Sequence, residues 1–283
     1  MWADILNSTM PRYHSILIFT MLTMAPALAQ LAPPNDAGVT MGHIHLAVKD
    51  VAVQRQFWVS MMGGKIVKNG PLELIEFPGV YIMLRQSDTA TPPAGAIVNH
   101  FGFVVRDMPA ALARWKAAGI TLEPTPNPNE VYVEAPDGVR VEVYGVPSLP
   151  TEVQMNHIHY YSPVSEIPAL QAWYVKTFGA EASQRPCIAC VLKPRMIETA
   201  ELPSVHLSFG PIASIQGPTK GRSLDHIGFE VKNLDALVQK LEAQGIKFDV
   251  PVRRVPNTNL KIAFLTDPWG TYIELTEGLA PSR

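Results

Sequence analysis

One segment of the chain recurs almost residue for residue, and this internal repeat limits the folds that the chain can adopt. Residues 99–124, NHFGFVVRDMPAALARWKAAGITLEP, align with residues 225–250, DHIGFEVKNLDALVQKLEAQGIKFDV. Each copy contains an alternating apolar run, a turn, a helical stretch and a glycine followed by a new strand. The repeat therefore indicates a duplicated supersecondary unit.

The helical stretches of the two copies carry apolar residues at the same spacing, i, i+3, i+4 and i+7. In the first copy these residues are Met108, Ala111, Leu112 and Trp115. In the second copy they are Leu234, Leu237, Val238 and Leu241. This spacing predicts an amphipathic helix that lies on a sheet. Gly119 and Gly245 are placed to end the two helices.

Two further units begin with nearly identical phrases, MGHIHLAV at residues 41–48 and MNHIHYYS at residues 155–162. Both continue as strand, helix, glycine and strand, and all four units finish in short alternating strands. The sequence therefore predicts an α+β fold of four βαβββ modules that begin near residues 41, 98, 155 and 224. We expect module 1 to pair with module 2, and module 3 with module 4, in two tandem domains.

The N-terminus reads as an export signal. Arg12 supplies a positive charge, residues 16–24 form an apolar run, and Ala27-Leu28-Ala29 resembles a signal-peptidase site. The apolar run is shorter than the roughly 20 residues of a spanning helix. We therefore predict a periplasmic or secreted protein with no membrane partner after cleavage. The predicted organisation is a signal peptide (1–29), a linker (30–39), domain 1 (40–146), a linker (147–153) and domain 2 (154–279).

Composition limits the classes of binding partner and indicates the redox state of the cysteines. Charged residues make up 17% of the chain and the net charge is −2, so no basic surplus points to nucleic acid. We expect a small-molecule substrate and a monomer or homodimer. The only cysteines, Cys187 and Cys190, are predicted to form a local disulfide in an exported protein.

Each module opens with a strand that carries a histidine at an equivalent place, and modules 2 and 4 end with a glutamate. The histidines are His43, His100, His157 and His226, and the glutamates are Glu142 and Glu274. Two imidazoles and one carboxylate suit a divalent ion with open positions, here Fe²⁺, Mn²⁺ or Zn²⁺. A single histidine on an apolar strand is more typical of a core position, so the joint occurrence of six residues carries the prediction. The predicted triads are His43/His100/Glu142 and His157/His226/Glu274.

These motifs, with APDGVRVEVY and DPWGTYIELTE at the final strands, make the chain resemble the vicinal oxygen chelate superfamily. That superfamily includes glyoxalase I, ring-cleaving dioxygenases, epimerases, and fosfomycin- and bleomycin-resistance proteins. The resemblance covers residues 40–279 and implies cupped mixed sheets around a metal. It does not define the reaction, because this fold supports many chemistries.

Departures from the relatives leave two reaction classes open. Glyoxalase I carries a fourth glutamate ligand where this chain has Met83 and Ser208, which disfavours lactoylglutathione chemistry. Ring-cleaving dioxygenases place a proton-handling tyrosine and histidine before the last glutamate. The resemblance puts Tyr132 in the tyrosine place of module 2, but Phe264 stands there in module 4 and no histidine precedes either.

The second histidine of each H-x-H phrase, His45 and His159, is the least usual feature. Residues i and i+2 of a strand share a face, so each should point the same way as the preceding histidine. Gly102 and Gly228 lie across the expected cavity and leave room for a ligand. We predict that His45 and His159 act in catalysis with Tyr132, as general acids or bases. Two alternatives stay open, an orienting hydrogen bond and a buried histidine that fills space.

The predicted function is that of an exported metal-dependent enzyme that binds a small oxygen-bearing substrate. Its chemistry would be dioxygenase-like, or glyoxalase- or isomerase-like. The alternative is a non-catalytic protein of the bleomycin-resistance type that binds or sequesters a small molecule.

Overall fold

The structure is a computed structural model that describes residues 31–188, 190–214 and 216–280. The predicted signal peptide at residues 1–29 lies outside the described residues. Among the described residues, no helix is long and apolar enough to cross a membrane.

Four βαβββ modules follow one another along the chain. Module 1 comprises β1 (Val39–Val48), α1 (Val51–Gln56, extended by a π-helical turn, Phe57–Met61), β2 (Lys65–Asn69), β3 (Leu72–Phe77) and β4 (Val80–Gln86). Module 2 comprises β5 (Val98–Val105), α2 (Met108–Ala117), β6 (Leu122–Pro124), β7 (Glu130–Ala135), a 3-10 turn (Pro136–Gly138) and β8 (Val139–Gly145). Module 3 comprises β9 (Val153–Ser162), α3 (Ile167–Phe178), β10 (Glu181–Pro186), β11 (Met196–Leu202) and β12 (Val205–Pro211). Module 4 comprises β13 (Leu224–Val231), α4 (Leu234–Ala243), β14 (Phe248–Arg254), β15 (Lys261–Thr266) and β16 (Tyr272–Glu277).

The strands form two mixed sheets of eight strands each. One sheet has the order β14-β15-β16-β13-β1-β4-β3-β2, and the other has the order β10-β11-β12-β9-β5-β8-β7-β6. The predicted fold class is confirmed: the chain is an α+β protein of four βαβββ modules with mixed sheets.

The predicted partnership of the modules within a sheet is wrong. Strand β1 pairs antiparallel with β13, so module 1 shares its sheet with module 4. Strand β5 pairs antiparallel with β9, so module 2 shares its sheet with module 3. The physical reason is that modules 1 and 3 open with equivalent strands. The first strand of either module can therefore pair with the first strand of module 2 or of module 4. The boundaries proposed for the two domains along the sequence stay a prediction.

Local signals in the sequence explain where the helices begin and end. Asp50 begins α1, since its side chain accepts hydrogen bonds from the backbone N–H groups of Ala52 and Val53 at 2.8 and 3.1 Å. Asp107 and Asn233 play the same part for α2 and α4. The glycines after these two helices have positive φ, as predicted for a helix end.

The hydrophobic core joins the two sheets. The ring of Trp58, from module 1, stacks on Phe101 of module 2 with 5.7 Å between the ring centroids. Phe178, from module 3, meets Phe229 of module 4 at 4.9 Å. Successive modules therefore pack through their apolar faces although they belong to different sheets. The opposite face of each strand is left for polar side chains.

Candidate metal centres

Residues of the first and last modules converge in a cluster that we call the outer site, formed by His43, His45, His226 and Glu274. Strand pairing places β1 beside β13, and β13 beside β16. One carboxylate oxygen, Oε2 of Glu274, lies 2.9 Å from Nε2 of His43 and 3.0 Å from Nε2 of His226. The four side chains each offer a ligand atom within 4.8 Å of the others.

An equivalent cluster, the inner site, is formed by His100, Glu142, His157 and His159 from the two central modules. Oε2 of Glu142 lies 2.8 Å from Nε2 of His100. It lies 3.4 Å from Nε2 of His157, which has no hydrogen-bond geometry toward it. All four residues are buried.

The structure brings all six predicted ligands into these two sites, but not in the predicted triads. The observed sets are His43/His226/Glu274 and His157/His100/Glu142. The first histidine of each predicted triad is exchanged because modules 1 and 3 have exchanged their sheet partners.

Gly102 and Gly228 lie opposite the first histidine of each H-x-H phrase, and not opposite a free space. Gly228 pairs with His43, and Gly102 pairs with His157. A Cβ atom at either glycine would overlap the imidazole across the strand pair. The prediction that these glycines leave room for a bound ligand is therefore wrong, because a histidine ring takes the room.

The electrostatics of both sites favour ionised carboxylates. Burial alone would raise the pKa of Glu274, but hydrogen bonds from His226 and His43 hold it well below its usual range. Glu142 behaves in the same way: burial opposes the charge, and His157 and His100 lower its pKa further than burial raises it. Burial also lowers the pKa of His43 and His100, which favours neutral imidazoles that can bind a cation.

Three of the four predicted ligand histidines are oriented by the residue that precedes them. Nδ1 of His100 lies 3.0 Å from Oδ1 of Asn99. The pairs formed by His157 with Asn156 (2.9 Å) and by His226 with Asp225 (2.7 Å) are equivalent. An acceptor at Nδ1 directs Nε2 toward the centre of the site. Sequence reasoning missed these residues, although an Asn or Asp directly precedes three of the four histidines in the sequence. The fourth histidine, His43, is preceded by Gly42 and has no such partner before it.

We expect Asn99→Ala to lower the affinity of the inner site for a divalent ion by about 10- to 100-fold, because the ring of His100 loses its orienting partner. The measurement is a competition titration against a chromophoric chelator. The outer site of the same chain is the internal control, and an unchanged inner-site affinity would contradict the assigned role.

The sequence model of the Glyoxalase/Bleomycin resistance protein/Dioxygenase superfamily matches residues 40–143 and 154–275. The chain belongs to this superfamily. Glyoxalase I from Zea mays has a similar fold, with 15% identity, a TM-score of 0.66, and coverage of 85% of this chain and 92% of that chain. A candidate dioxygenase from Bacillus subtilis is 17% identical, with a TM-score of 0.61 and 86% coverage of both chains. No curated protein matches the chain in sequence.

The distances within both sites fit the divalent ion that the superfamily implies. Ligands at about 2.1 Å from an ion, placed at right angles, are separated by about 3 Å. The imidazole-to-carboxylate distances of 2.8 to 3.4 Å match that separation. The neutral tautomer of His100 that donates from Nδ1 to Asn99 leaves the Nε2 lone pair available to bind an ion beside Glu142.

The second histidine of each H-x-H phrase shares a strand face with the first, as the alternation of side chains along a strand predicts. His45 lies 6.1 Å from His43, and His159 lies 5.9 Å from His157, between ring centroids. Burial lowers the pKa of both second histidines well below the ordinary value. Their catalytic role stays a prediction.

Tyr132 belongs to the inner site, where its hydroxyl donates a hydrogen bond to Oε2 of Glu142 at 3.2 Å. Phe264 takes the equivalent register position beside Glu274 in the outer site, as expected from the sequence. The catalytic role predicted for Tyr132 is not decided by this contact. Sequence reasoning missed His206, whose ring stacks on His157 at 5.4 Å and whose pKa burial lowers to about 2.

The two sites open into very different cavities. The outer site adjoins a cavity of about 570 Å³, whereas the cavity at the inner site measures about 140 Å³. The disulfide between Cys187 and Cys190, which matches the sequence prediction, lines the smaller cavity together with Arg185 and Arg195. The outer site therefore has the space for a substrate of moderate size.

Proposed function

We propose that this chain is an exported metal-dependent enzyme of the superfamily, and that the outer site is its main catalytic centre. The observation that carries the proposal is the convergence of His43, His226 and Glu274 at the end of a cavity large enough for a small molecule. A bound divalent ion would act there as a Lewis acid toward neighbouring oxygen atoms of the substrate.

The residues around the outer cavity suggest how such a substrate would be held. Much of the lining is apolar and would exclude water from the reacting atoms; it includes Leu72, Met83, Val250, Leu260, Ile262 and Phe264. Exposed cations, Arg85, Lys220 and Arg253, stand at the same cavity. An anionic group on the substrate would be attracted to this rim, while an apolar part would occupy the interior.

Two reaction classes are consistent with the site, and oxygen separates them. Dioxygenase-like chemistry needs a redox-active ion such as Fe²⁺ and consumes oxygen with a diphenol. Glyoxalase- or isomerase-like chemistry proceeds without oxygen and accepts zinc or manganese. Parallel assays of the Fe²⁺-, Mn²⁺- and Zn²⁺-loaded protein, with and without oxygen, distinguish them.

Removal of the metal is the decisive test of the enzyme proposal. We expect the purified mature protein to contain stoichiometric divalent metal by elemental analysis, and dialysis against a chelator to abolish turnover. We also expect chelation to lower the melting temperature, because an ion that binds only the folded state stabilises it. A protein without stoichiometric metal would instead favour the sequestering function of the bleomycin-resistance type.

The export part of the proposal is supported by the apolar run at residues 16–24, the Ala27-Leu28-Ala29 pattern and the disulfide. N-terminal sequencing of the protein recovered from outside the cytoplasm is expected to begin at Gln30. A cytoplasmic protein that retains residues 16–24 would contradict it.

A further inference from the structure

The second histidine of each H-x-H phrase lies directly opposite a ligand histidine of the partner module. His45 pairs with His226 across β1 and β13, and His159 pairs with His100 across β9 and β5. The ring centroids are 4.4 Å apart in the outer site and 4.6 Å apart in the inner site. The same arrangement therefore occurs in two sites whose cavities differ about fourfold in volume.

Three of the four ring nitrogens of these two histidines are buried without a hydrogen-bond partner. Neither ring nitrogen of His45, nor Nε2 of His159, has a hydrogen-bond partner among the residues that the structure describes. A polar atom in this state is costly to the fold. A histidine that orients a neighbour would be bonded to it, and an apolar residue would fill the space at lower cost.

The position of each second histidine also explains what replaces a ligand found in glyoxalase I. Met83, on β4, lies in register with His45, and Ser208, on β12, lies in register with His159. The strand that would supply a fourth carboxylate therefore has no carboxylate at the position beside the second histidine. The imidazole on the adjacent strand offers a nitrogen within 4.8 Å of the other three ligand atoms of its site.

We propose that His45 and His159 are metal ligands, so that each site holds its ion with three imidazoles and one carboxylate. The inference rests on the metal binding proposed above. Three imidazole donors favour a first-row transition ion such as Fe²⁺, Co²⁺ or Zn²⁺ over Mg²⁺ or Ca²⁺, which prefer oxygen. An ion held in this way would still have coordination positions free for substrate oxygens.

The test uses the full mature chain with one site disabled. Glu142→Ala disables the inner site, and His45→Phe is then introduced into the outer site. Phenylalanine keeps the size of the ring and removes both nitrogens. We expect His45→Phe to lower the affinity for Co²⁺ by at least about tenfold and to alter the visible absorption of the bound ion. His159→Phe in a Glu274→Ala chain is expected to do the same for the inner site.

Met83→Leu is the matched control, because Met83 lies beside His45 in register and lines the same cavity. We expect it to leave Co²⁺ affinity and absorption unchanged. Thermal unfolding of the metal-free variants checks that they fold. Should His45→Phe not fold, pulsed EPR of the Cu²⁺-loaded Glu142→Ala chain counts the bound imidazoles directly, with three expected.

The outcomes separate this inference from the proposed function. If the Glu142→Ala chain binds Co²⁺ and His45→Phe changes neither affinity nor absorption, His45 is not a ligand, although the metal site stands. A count of two imidazoles would overturn the inference in the same way. If the wild-type protein binds no transition ion, the proposed function fails and this inference fails with it.

Discussion

A chain with both His43→Ala and Glu274→Ala is expected to retain one tightly bound divalent ion, whereas a chain with His43→Ala and Glu142→Ala is expected to retain none. Nε2 of His43 lies 2.9 Å from Glu274, so the first pair of substitutions damages one site twice. Glu142 belongs to the other site, so the second pair damages both. Elemental analysis after gel filtration counts the ions.

The single substitutions are the controls for this experiment. Each of His43→Ala, Glu274→Ala and Glu142→Ala is expected to reduce the count from two ions to one. The pairing of modules suggested by the sequence repeat makes the opposite prediction, with one ion left by His43→Ala plus Glu142→Ala and none left by His43→Ala plus Glu274→Ala. That opposite pattern would contradict the sheet order of the structure.

Gly228→Ala is expected to damage the outer site through sterics alone. An added Cβ would overlap the imidazole of His43, so the ring must leave its position or the two strands must separate. Overpacking of this kind costs about 1–3 kcal/mol. We expect a lower melting temperature in chelator and loss of the outer-site ion. The measurements are differential scanning calorimetry and elemental analysis.

Gly217→Ala is the control, because the nearest atom to its added Cβ is the end of the Arg222 side chain at 3.1 Å, a much milder contact than the overlap at Gly228. We expect little change in stability or metal content from it. Gly102→Ala should reproduce the damage at the inner site, where the ring of His157 lies against the glycine. Full metal content and wild-type stability in Gly228→Ala would show that the close contact has no importance.

The sequence was sufficient to predict the modules and the histidines and glutamates that the structure gathers into the two sites. The helix periodicity around Trp115 and Leu241, with a capping residue before each helix, describes local structure that each module forms by itself. The histidines and glutamates were recognisable because they recur at equivalent strand positions. Local patterns of this kind are the same whichever modules share a sheet.

The partnership of the modules could not be predicted from the same patterns. His43 and His157 open equivalent strands, so each can stand beside either of the two histidine–glutamate pairs. Gly102 and Gly228 occupy equivalent places in modules 2 and 4, so they do not distinguish the two pairings. The choice depends on packing across the whole molecule, such as the stacking of Trp58 on Phe101. The orienting partners Asn99, Asn156 and Asp225 were predictable in principle, since each directly precedes a ligand.

The nested sheet order has a consequence for the way in which the protein matures. The inner site draws on one continuous stretch of chain, and His100 and Glu142 are only 42 residues apart. The outer site joins His43 to Glu274 across 231 residues, so its closure carries the larger entropic cost. Formation of long-range contacts is also slow. All four inner-site residues precede Glu274 in the chain, so we expect the inner site to form first and the outer site to form after it.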